Sequence, residues 1–289
     1  MPPSSRSRIT RALPALGLAP FAAYVLLFLA IPTLLAVASG FGGEGGFTLA
    51  NLAVLTSPES LEAFSASVWI SALTAVIGAL VGAVLCWALA ALPDRSLLRR
   101  IVDSASSVLA QFGGVMLAFA FIATIGIQGI VTVLLRDRAG IDLYANGVWL
   151  YELPGLILPY LYFQVPLMVI TFLPAVSALR PRWAEAVATL GGSSWAYWSR
   201  VGLPVLAPSF LGALLLLFAN AFSSYATAAA LISQGSQIVP LQIRAALIGE
   251  TGGSNAGSAG ILALGMIVVM TLVMLVYGRL MARAARRPR

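Results

Sequence analysis

Charged residues are scarce in this sequence. Only 9% of its 289 residues are Asp, Glu, Lys or Arg, whereas 60% are hydrophobic. A soluble globular domain usually carries about a quarter charged residues. Because so few polar side chains cannot cover the surface of a water-soluble protein of this length, the composition excludes an ordinary soluble domain and indicates an integral membrane protein.

Three side-chain types are absent or nearly so. The sequence has no Lys, so that all 17 basic residues are Arg, and it has no His and a single Cys. Without His, a His-ligated metal site, a Ser-His or Cys-His catalytic pair and a His proton relay are excluded. Cys86 lies in the apolar run LVGAVLCWALA, which predicts a packed free thiol. We therefore expect no catalytic residues, metal site or cofactor.

Long apolar runs are abundant. A bilayer core about 30 Å thick requires roughly 20 apolar residues in a helix, and six runs reach that length: 15–39, 66–92, 104–126, 153–178, 204–232 and 259–281. The segment 127–137 is too short to cross and predicts an amphipathic or re-entrant helix at the outer interface. The sequence thus predicts an all-α integral membrane protein with six transmembrane helices.

Arginine placement predicts how the spans are oriented, because cytoplasmic connections are enriched in basic residues. Fourteen of the 17 arginines lie in segments that alternate along the chain: Arg6, Arg8 and Arg11; Arg95, Arg99 and Arg100; Arg180, Arg182 and Arg200; Arg279, Arg283, Arg286, Arg287 and Arg289. Both termini and the connection between the fourth and fifth spans are therefore expected to be cytoplasmic. The alternative is a cleaved signal peptide ending near Ala38, but its apolar run is longer than a typical signal core, and cleavage would leave an odd number of spans.

The stretch 185–204, EAVATLGGSSWAYWSRVGLP, is a polar interruption between two spans. Pro181 suits the first turn of a helix, and the pair at 191–192 ends it because Gly reaches the left-handed region at little cost. Ser193 or Ser194 can cap a second short helix, and Leu203 with Pro204 begins the fifth span. We expect a helix–turn–helix lying under the membrane.

The spacing of this loop carries a resemblance to a known family. Glu185-Ala186-Val187 is followed after three residues by Gly191, then after nine residues by Val201, and after one more by Leu203-Pro204. This resembles the signature loop of the permease subunits of binding-protein-dependent type I ABC importers, with Val for Ala and Val for Ile as departures. The resemblance covers residues 66–281.

The resemblance implies a mechanical role for the loop. In similar proteins it forms a coupling helix that docks on a cytoplasmic ATPase subunit, and the matching residues here are Trp183, Glu185, Ala186, Val187, Leu190, Gly191, Leu203 and Pro204. Trp183, Val187 and Leu190 share one helix face. The structural alternative is that Glu185 only offsets Arg182, and that the tryptophans of the loop only anchor it at the lipid interface.

Polar side chains within the spans form a second set of candidates. Those expected along a translocation path are Gln111, Tyr160, Gln164, Asn220, Ser223, Ser224 and Thr227. Four of them recur at i, i+3, i+4 and i+7 in the fifth span, which predicts one polar helix face. Polar groups in a span usually face the bundle interior. An equally strong alternative is that they hold helices together by hydrogen bonds.

Several partners and a domain division follow. The chain has no phosphate-binding loop of the GxxxxGK[ST] type, so the resemblance implies a separate pair of ATPase subunits, a second permease and an extracytoplasmic substrate-binding protein. Residues 233–258 would either dock the substrate-binding protein or only connect two spans. We divide the chain into 1–65 (tail, first span and outer loop), 66–281 (permease core, with the coupling loop at 179–204) and 282–289 (basic tail).

The substrate expectation is weaker. Residues around Gly191 and in the fourth span look most like permeases of the polyamine, ferric-iron and aminophosphonate group in the bacterial inner membrane. The alternatives are a sugar importer permease, a stand-alone secondary carrier and a structural membrane subunit.

Overall fold

The computed structural model describes residues 17–43, 46–93, 95–232, 238–249 and 255–285. Twelve α-helices carry the fold of these residues: α1 (Gly17–Ser39), α2 (Pro58–Ala90), α3 (Leu97–Leu109), α4 (Gly114–Ile125), α5 (Ile130–Ala139), α6 (Ile157–Ser177), α7 (Pro181–Thr189), α8 (Ser194–Tyr197), α9 (Leu203–Phe222), α10 (Ala226–Leu231), α11 (Val239–Ile248) and α12 (Ala256–Ala285). Short 3₁₀ helices span Ala50–Thr56, Trp149–Tyr151 and Leu153–Leu156, and a two-stranded antiparallel hairpin pairs β1 (Gly42–Gly43) with β2 (Gly46–Phe47). The predicted all-α class is confirmed.

Six helical segments of the described chain are long and apolar enough to cross a bilayer, as predicted. They are Gly17–Ser39, Pro58–Ala90, Gly114–Ala139, Leu153–Ser177, Ser194–Phe222 and Ala256–Arg279. Their surfaces are apolar where they are exposed, as at Trp69, Leu80 and Trp87, whereas Thr74 and Gln164 are buried inside. Exposed apolar side chains and buried polar ones are the arrangement expected of helices surrounded by lipid. The chain is a multi-pass membrane protein.

The third span was predicted as one continuous helix, which is wrong. The run 104–126 is divided by a non-helical stretch at residues 110–113 into α3 and α4. The helix α3 begins at Leu97, before the predicted start at residue 104, and packs along α6. The segment 127–137, predicted as a separate helix at the outer interface, contains α5 but falls within the third candidate span, Gly114–Ala139, so that part of the prediction is wrong. Between α4 and α5 the backbone at Gly129 approaches the Thr124 carbonyl too closely for any side chain.

The fifth predicted span, 204–232, is also divided. The helix that enters it starts at Ser194, passes through a π-helical turn at Trp198–Gly202 and continues as α9 to Phe222. After residues 223–225 the short α10 follows. The second helix of the 179–204 loop is therefore the beginning of the fifth span rather than the separate helix that was predicted.

Close contacts between α2 and α6 explain the small residues on one face of α2. A side chain at Gly82 would collide with Met168, and one at Gly78 would meet Gln164. Cys86 is buried with its Sγ atom 3.9 Å from the Val169 carbonyl oxygen, which confirms the predicted packed thiol. Small residues permit such close approach of membrane helices.

The contacts group the chain into two units that differ from the predicted division at residue 65. One unit comprises the described residues up to Ser60 with Ile243–Ile267, and the other comprises Leu61–Gln242 and the residues from Val268 onward. In the first, the end of α1 meets the start of α12, where Gly260 lies against the Ala36 carbonyl. The second contains all the candidate functional residues.

The predicted outer loop 233–258 contains one short helix, α11. The flexible Gly/Ser run predicted after it lies largely outside the described residues, as do 233–237. The start of α11 is anchored by the Val239 amide, which donates to Ser67 Oγ at 2.9 Å.

Candidate functional site: the 179–204 loop and a cavity between two broken helices

The first half of the loop forms the predicted helix and turn. Pro181 occupies the first turn of α7, and Leu190 caps its end. Gly191 has φ +76°, and the Gly192 amide donates to the Val187 carbonyl at 2.9 Å. A left-handed residue followed by such a bond is a common way to end a helix, and it favours Gly. The predicted role of Gly191 in the turn is confirmed.

Almost nothing in the described chain covers α7. Leu190 is 88% exposed and Trp183 is 37% exposed, while Val187 on the same face is only half-buried, against Gly192. Glu185 is exposed and forms no ion pair with Arg182 in the described part of the chain. The alternative in which Glu185 merely offsets Arg182 is thus not what the structure shows, and the acid and the apolar face both remain accessible.

The second half of the loop is a rigid continuation into the membrane. Ser193 Oγ accepts from the Ala196 amide at 3.3 Å and caps α8 as predicted. The π-helical turn precedes Pro204, which has no amide hydrogen to donate to the preceding turn, and the wider turn accommodates its ring. The Trp198 ring lies against Gly202, whereas Trp195 is 76% exposed.

Side chains form hydrogen bonds with several backbone carbonyls at the break between α9 and α10. Ser223 Oγ donates back to the Ala219 carbonyl at 2.9 Å and lies 3.3 Å from the Asn220 carbonyl. Tyr160 on α6 donates its hydroxyl hydrogen to the Ser224 carbonyl at 3.2 Å. Because an unpaired backbone group in an apolar interior is costly, these bonds mark the break as a built feature.

Hydrogen bonds connect the break between α3 and α4 with the start of α10, which follows the break between α9 and α10. The Gly114 amide donates to Thr227 Oγ1 at 2.9 Å, and that hydroxyl lies 3.3 Å from the Gly114 carbonyl. Gly114 has φ +74°, so a side chain there would be strained. Thr227 is at the start of α10, and the two breaks therefore lie at one level of the bundle.

A cavity of about 200 Å³ lies between the two breaks. Its lining includes four of the seven path candidates, and the full set is Ala110, Gln111, Gly113, Gly114, Phe163, Leu167, Asn220, Ser224 and Thr227. Gln111 is exposed and Asn220 is half-buried, whereas Thr227 is already bonded to Gly114. Sequence reasoning missed Gly113 and Gly114, although a Gly pair inside a run of apolar residues was a signal for a break.

The remaining three path candidates serve the packing. Gln164 is fully buried, and its Nε2 donates to Thr74 Oγ1 at 3.2 Å and to the Leu217 carbonyl at 3.5 Å. It thereby connects α6 with α2 and α9. Tyr160 and Ser223 are engaged with the backbone of the fifth-span break. For these residues the hydrogen-bonding alternative describes the structure, and the predicted single polar face of the fifth span is interrupted.

An apolar cluster lies next to the cavity and shares Phe163 with its lining. Leu117, Leu156, Tyr160, Ala228 and Leu231 pack together in this cluster with Ala221 of α9. Tyr144 packs against the cluster, and its hydroxyl donates to the Ile125 carbonyl at 2.6 Å. Burial raises the pKa of Tyr144, with a smaller contribution from nearby Tyr151, so the phenol stays protonated and keeps donating at neutral pH.

Comparisons with known proteins were made in sequence and in structure. No established family profile matches the sequence. The chain is 24% identical over 174 residues to the sulfate transport system permease protein CysT of Escherichia coli K12, a match that covers 60% of this chain and 59% of that protein. It is 27% identical over 179 residues to the probable sulfate transport system permease protein cysT of Anthoceros angustus, covering 60% and 57%.

Solved structures share the fold over a longer stretch. A bacterial ABC transporter chain involved in import of the acidic polysaccharide alginate matches with a TM-score of 0.74 at 18% identity, covering 94% of this chain and 98% of that one. A chain of the MetNI methionine ABC transporter matches with a TM-score of 0.53 at 16% identity, covering 80% and 100%. The chain is homologous to sulfate ABC permeases and has the ABC-importer permease fold.

The predicted resemblance to ABC-importer permeases is therefore confirmed by sequence similarity to sulfate permeases and by the fold. The matched region spans less than two thirds of the length of the curated permeases. At 16–18% identity the solved permease structures carry the fold alone. The finer grouping with polyamine, ferric-iron and aminophosphonate permeases has no support among these relatives, all of which are named as sulfate transport permeases.

Proposed function

We propose that this chain is the transmembrane permease subunit of an ATP-driven ABC importer, forming half of the translocation path. The observation that carries the proposal is α7. It presents an accessible acid and an exposed apolar face, and it is followed by one continuous helical segment, Ser194–Phe222, that ends at the cavity. A structural subunit without a transport role would not need such an uncovered helix, whereas a subunit that docks on a moving partner would.

The docking chemistry follows from the exposed residues of α7. Trp183 and Leu190 supply the apolar contact, and aromatic residues are enriched at the centres of protein interfaces. Glu185 supplies an unpaired carboxylate that can accept hydrogen bonds from an Arg of the ATPase, and such charge-assisted bonds are strong when water is excluded. Two ATPase subunits, a second permease and an extracytoplasmic binding protein complete the proposed assembly. ATP hydrolysis takes place on the ATPase subunits.

For the substrate we propose a small oxyanion such as sulfate. The two sulfate permease relatives motivate this choice, and the cavity lining is compatible with it. Its polar side chains, from Gln111, Asn220 and Ser224 in particular, are neutral groups that can form hydrogen bonds to an oxyanion.

The proposal is tested by reconstitution. The chain is co-expressed with a candidate ATPase, a candidate second permease and a candidate binding protein, and the complex is placed in liposomes. We expect uptake of radiolabelled sulfate that requires ATP and is competed by selenate but not by spermidine. ATP-dependent uptake of another solute would retain the importer and replace the substrate. Failure to co-purify with the ATPase would contradict the importer itself.

A further inference from the structure

A cavity of about 450 Å³ lies along α9, between the C-terminal half of α6 and the end of α12, and we name it the lateral groove. Its lining includes Thr171 of α6, Tyr277 of α12 and, on α9, Ser209, Gly212, Ala213 and Leu216, all of which belong to the second unit. Because Ser209 and Leu216 are exposed, the groove opens on the surface of this unit rather than into its core.

The groove exists because small residues of α9 face a long side chain of α12. The Tyr277 hydroxyl reaches α9 and donates to the Pro208 carbonyl at 3.4 Å. A Cβ atom at Gly212 would lie 3.2 Å from that hydroxyl oxygen, so a larger residue there would displace the tyrosine. Since Gly212 and Ala213 bring no long side chain into the space, the fold leaves it open to a molecule from outside the chain.

The walls of the groove are those of a lipid-facing surface. Exposed apolar side chains lie close to it along the chain, at Val205 on α9 and at Val276 on α12. The hydroxyl hydrogens of Thr171 and Tyr277 are both donated to carbonyls of the chain itself, that of Thr171 to the Leu167 carbonyl at 2.8 Å. The walls therefore suit a hydrocarbon chain better than a solute that needs hydrogen-bond donors.

Arginines lie near the same end of all three helices that form the groove. Arg180 follows the end of α6, Arg200 precedes the start of α9, and Arg279 is two residues beyond Tyr277 on α12; all three arginines are exposed. None of them pairs with an acid in the described part of the chain. The arginine distribution predicts that this end lies at the cytoplasmic leaflet, whose anionic lipids attract basic residues next to the membrane.

We propose that the lateral groove binds one anionic phospholipid of the cytoplasmic leaflet, with an acyl chain along Gly212 and Ala213 and the phosphate at the three arginines. An apolar helix of another subunit would also cover the groove, but it would leave the arginines without a counter-charge. A phospholipid matches both the apolar walls and the basic end, and basic pockets between membrane helices on this side bind anionic head groups. The inference goes beyond the proposed import function and does not depend on it.

Lipid titration followed by native mass spectrometry tests the site. The purified full-length chain in detergent is titrated with phosphatidylglycerol and, separately, with phosphatidylcholine of the same acyl chains, and the dissociation constant of the first bound lipid is measured. We expect phosphatidylglycerol to bind at least about fivefold more tightly, the effect of a single Arg near an anionic membrane surface. Equal affinity for the two lipids would overturn the proposal.

The acyl-chain contact is tested by filling the groove. Ser209 is exposed, so Ser209→Phe places a ring in the groove without displacing a packed side chain, and it should abolish tight binding of the first phosphatidylglycerol. Ser104→Phe makes the same exchange at an exposed position of α3 outside the groove and should leave binding unchanged. Wild-type binding by Ser209→Phe, or an equal loss in both variants, would contradict the site.

The headgroup contact is tested by removing charge. Replacing the three groove arginines together, as Arg180→Gln, Arg200→Gln and Arg279→Gln, should abolish the preference for phosphatidylglycerol over phosphatidylcholine. The control replaces three exposed arginines outside the groove helices, as Arg95→Gln, Arg100→Gln and Arg138→Gln. It should retain the preference. Equal loss in the two triple variants would mean that net charge attracts the lipid, and the proposed site would be rejected.

Photo-crosslinking in membranes distinguishes a lipid from another subunit. Leu216, which lines the groove and is 45% exposed, is replaced by benzoylphenylalanine in cells that contain the natural partners of the chain. We expect irradiation to add the mass of a phospholipid to the chain, and Ser209→Phe to lower the yield. Crosslinking to a second polypeptide instead would make the groove a subunit contact and overturn the proposal. These measurements involve neither ATP nor uptake, so their failure is distinguishable from failure of the proposed import function.

Discussion

At the scale of single residues, similar polar side chains in the spans have different uses. Gln164 and Thr227 are buried and hydrogen bonded across helices, whereas Asn220 is half-buried and lines the cavity. Residue type alone could not separate them, since the partner of each bonded group lies on another helix. The exposure and the hydrogen-bond partners of each side chain in the folded chain distinguish the two groups. The same kind of substitution is therefore expected to affect uptake at one residue and stability at the other.

Asn220→Leu is expected to reduce uptake while the complex assembles normally. The substitution removes a hydrogen-bonding group from the cavity wall and conserves approximate size. The measurement is the initial rate of uptake by the reconstituted complex, with assembly checked by co-purification. An unchanged rate would mean that Asn220 does not contact the substrate.

Gln164→Leu should instead lower stability. It removes the bonds from Nε2 to Thr74 Oγ1 and to the Leu217 carbonyl, and a typical intramolecular hydrogen bond contributes about 0.5–1.5 kcal/mol to stability. The thermal unfolding midpoint of the detergent-solubilised complex should fall, while Asn220→Leu leaves it unchanged. Equal midpoints for wild type and Gln164→Leu would show that the amide contributes no net stability.

Glu185→Lys is expected to abolish ATP-driven uptake without affecting membrane insertion. Glu185 is exposed and unpaired with Arg182 in the described chain, so the substitution breaks no internal contact and places a positive charge where the ATPase is proposed to dock. Uptake and co-purification are both measured. Glu62→Lys, the same reversal at an exposed site in the first turns of α2, is the control. Unchanged uptake by Glu185→Lys would reject the docking role.

At the scale of elements, the loop was largely predictable and the breaks were not. Pro181 at the start of α7, Gly191 after its end and Ser193 at the next cap act within a few residues of chain. The break at 223–225 contains neither Gly nor Pro, and its sequence reads as a helix with four polar residues on one face. The break depends instead on Tyr160, which lies 64 positions away from Ser224.

The turn after α7 supplies a prediction at this scale. At φ +76° a β-branched residue is strained, and a side chain at Gly191 has no neighbour within 4 Å. Gly191→Val should therefore distort the turn through the backbone alone, at a cost of about 1–2 kcal/mol, and weaken co-purification with the ATPase. Gly191→Asn, which tolerates the left-handed region, should largely retain it. Equal recovery of ATPase with the Val variant and wild type would contradict this account of the turn.

At the scale of the whole molecule, the chain is built to work with others. The Gln111 side of the cavity is exposed, and α7 is uncovered. A stand-alone carrier would enclose its own path. The arrangement instead matches the proposed assembly of two permeases, two ATPase subunits and a binding protein.

The chain reconstituted alone should therefore show no uptake under a proton or sodium gradient. Addition of the ATPase, the second permease and the binding protein, with ATP inside the liposomes where the ATPase faces inward, should restore it. Gradient-driven uptake by the single chain would establish a secondary carrier and reject the proposed dependence on ATP.

The sequence by itself determined the membrane class, the six spans and the helix–turn that resembles a coupling loop. These follow from hydropathy over about 20 residues and from the local backbone preferences of Pro and Gly, so they need no knowledge of distant contacts. Only the tertiary structure decided where the third and fifth spans break and which polar groups are left to face the cavity. The physical reason is the sequence separation of the partners: Thr227 bonds to Gly114 across 113 positions, and only the folded chain brings such groups together.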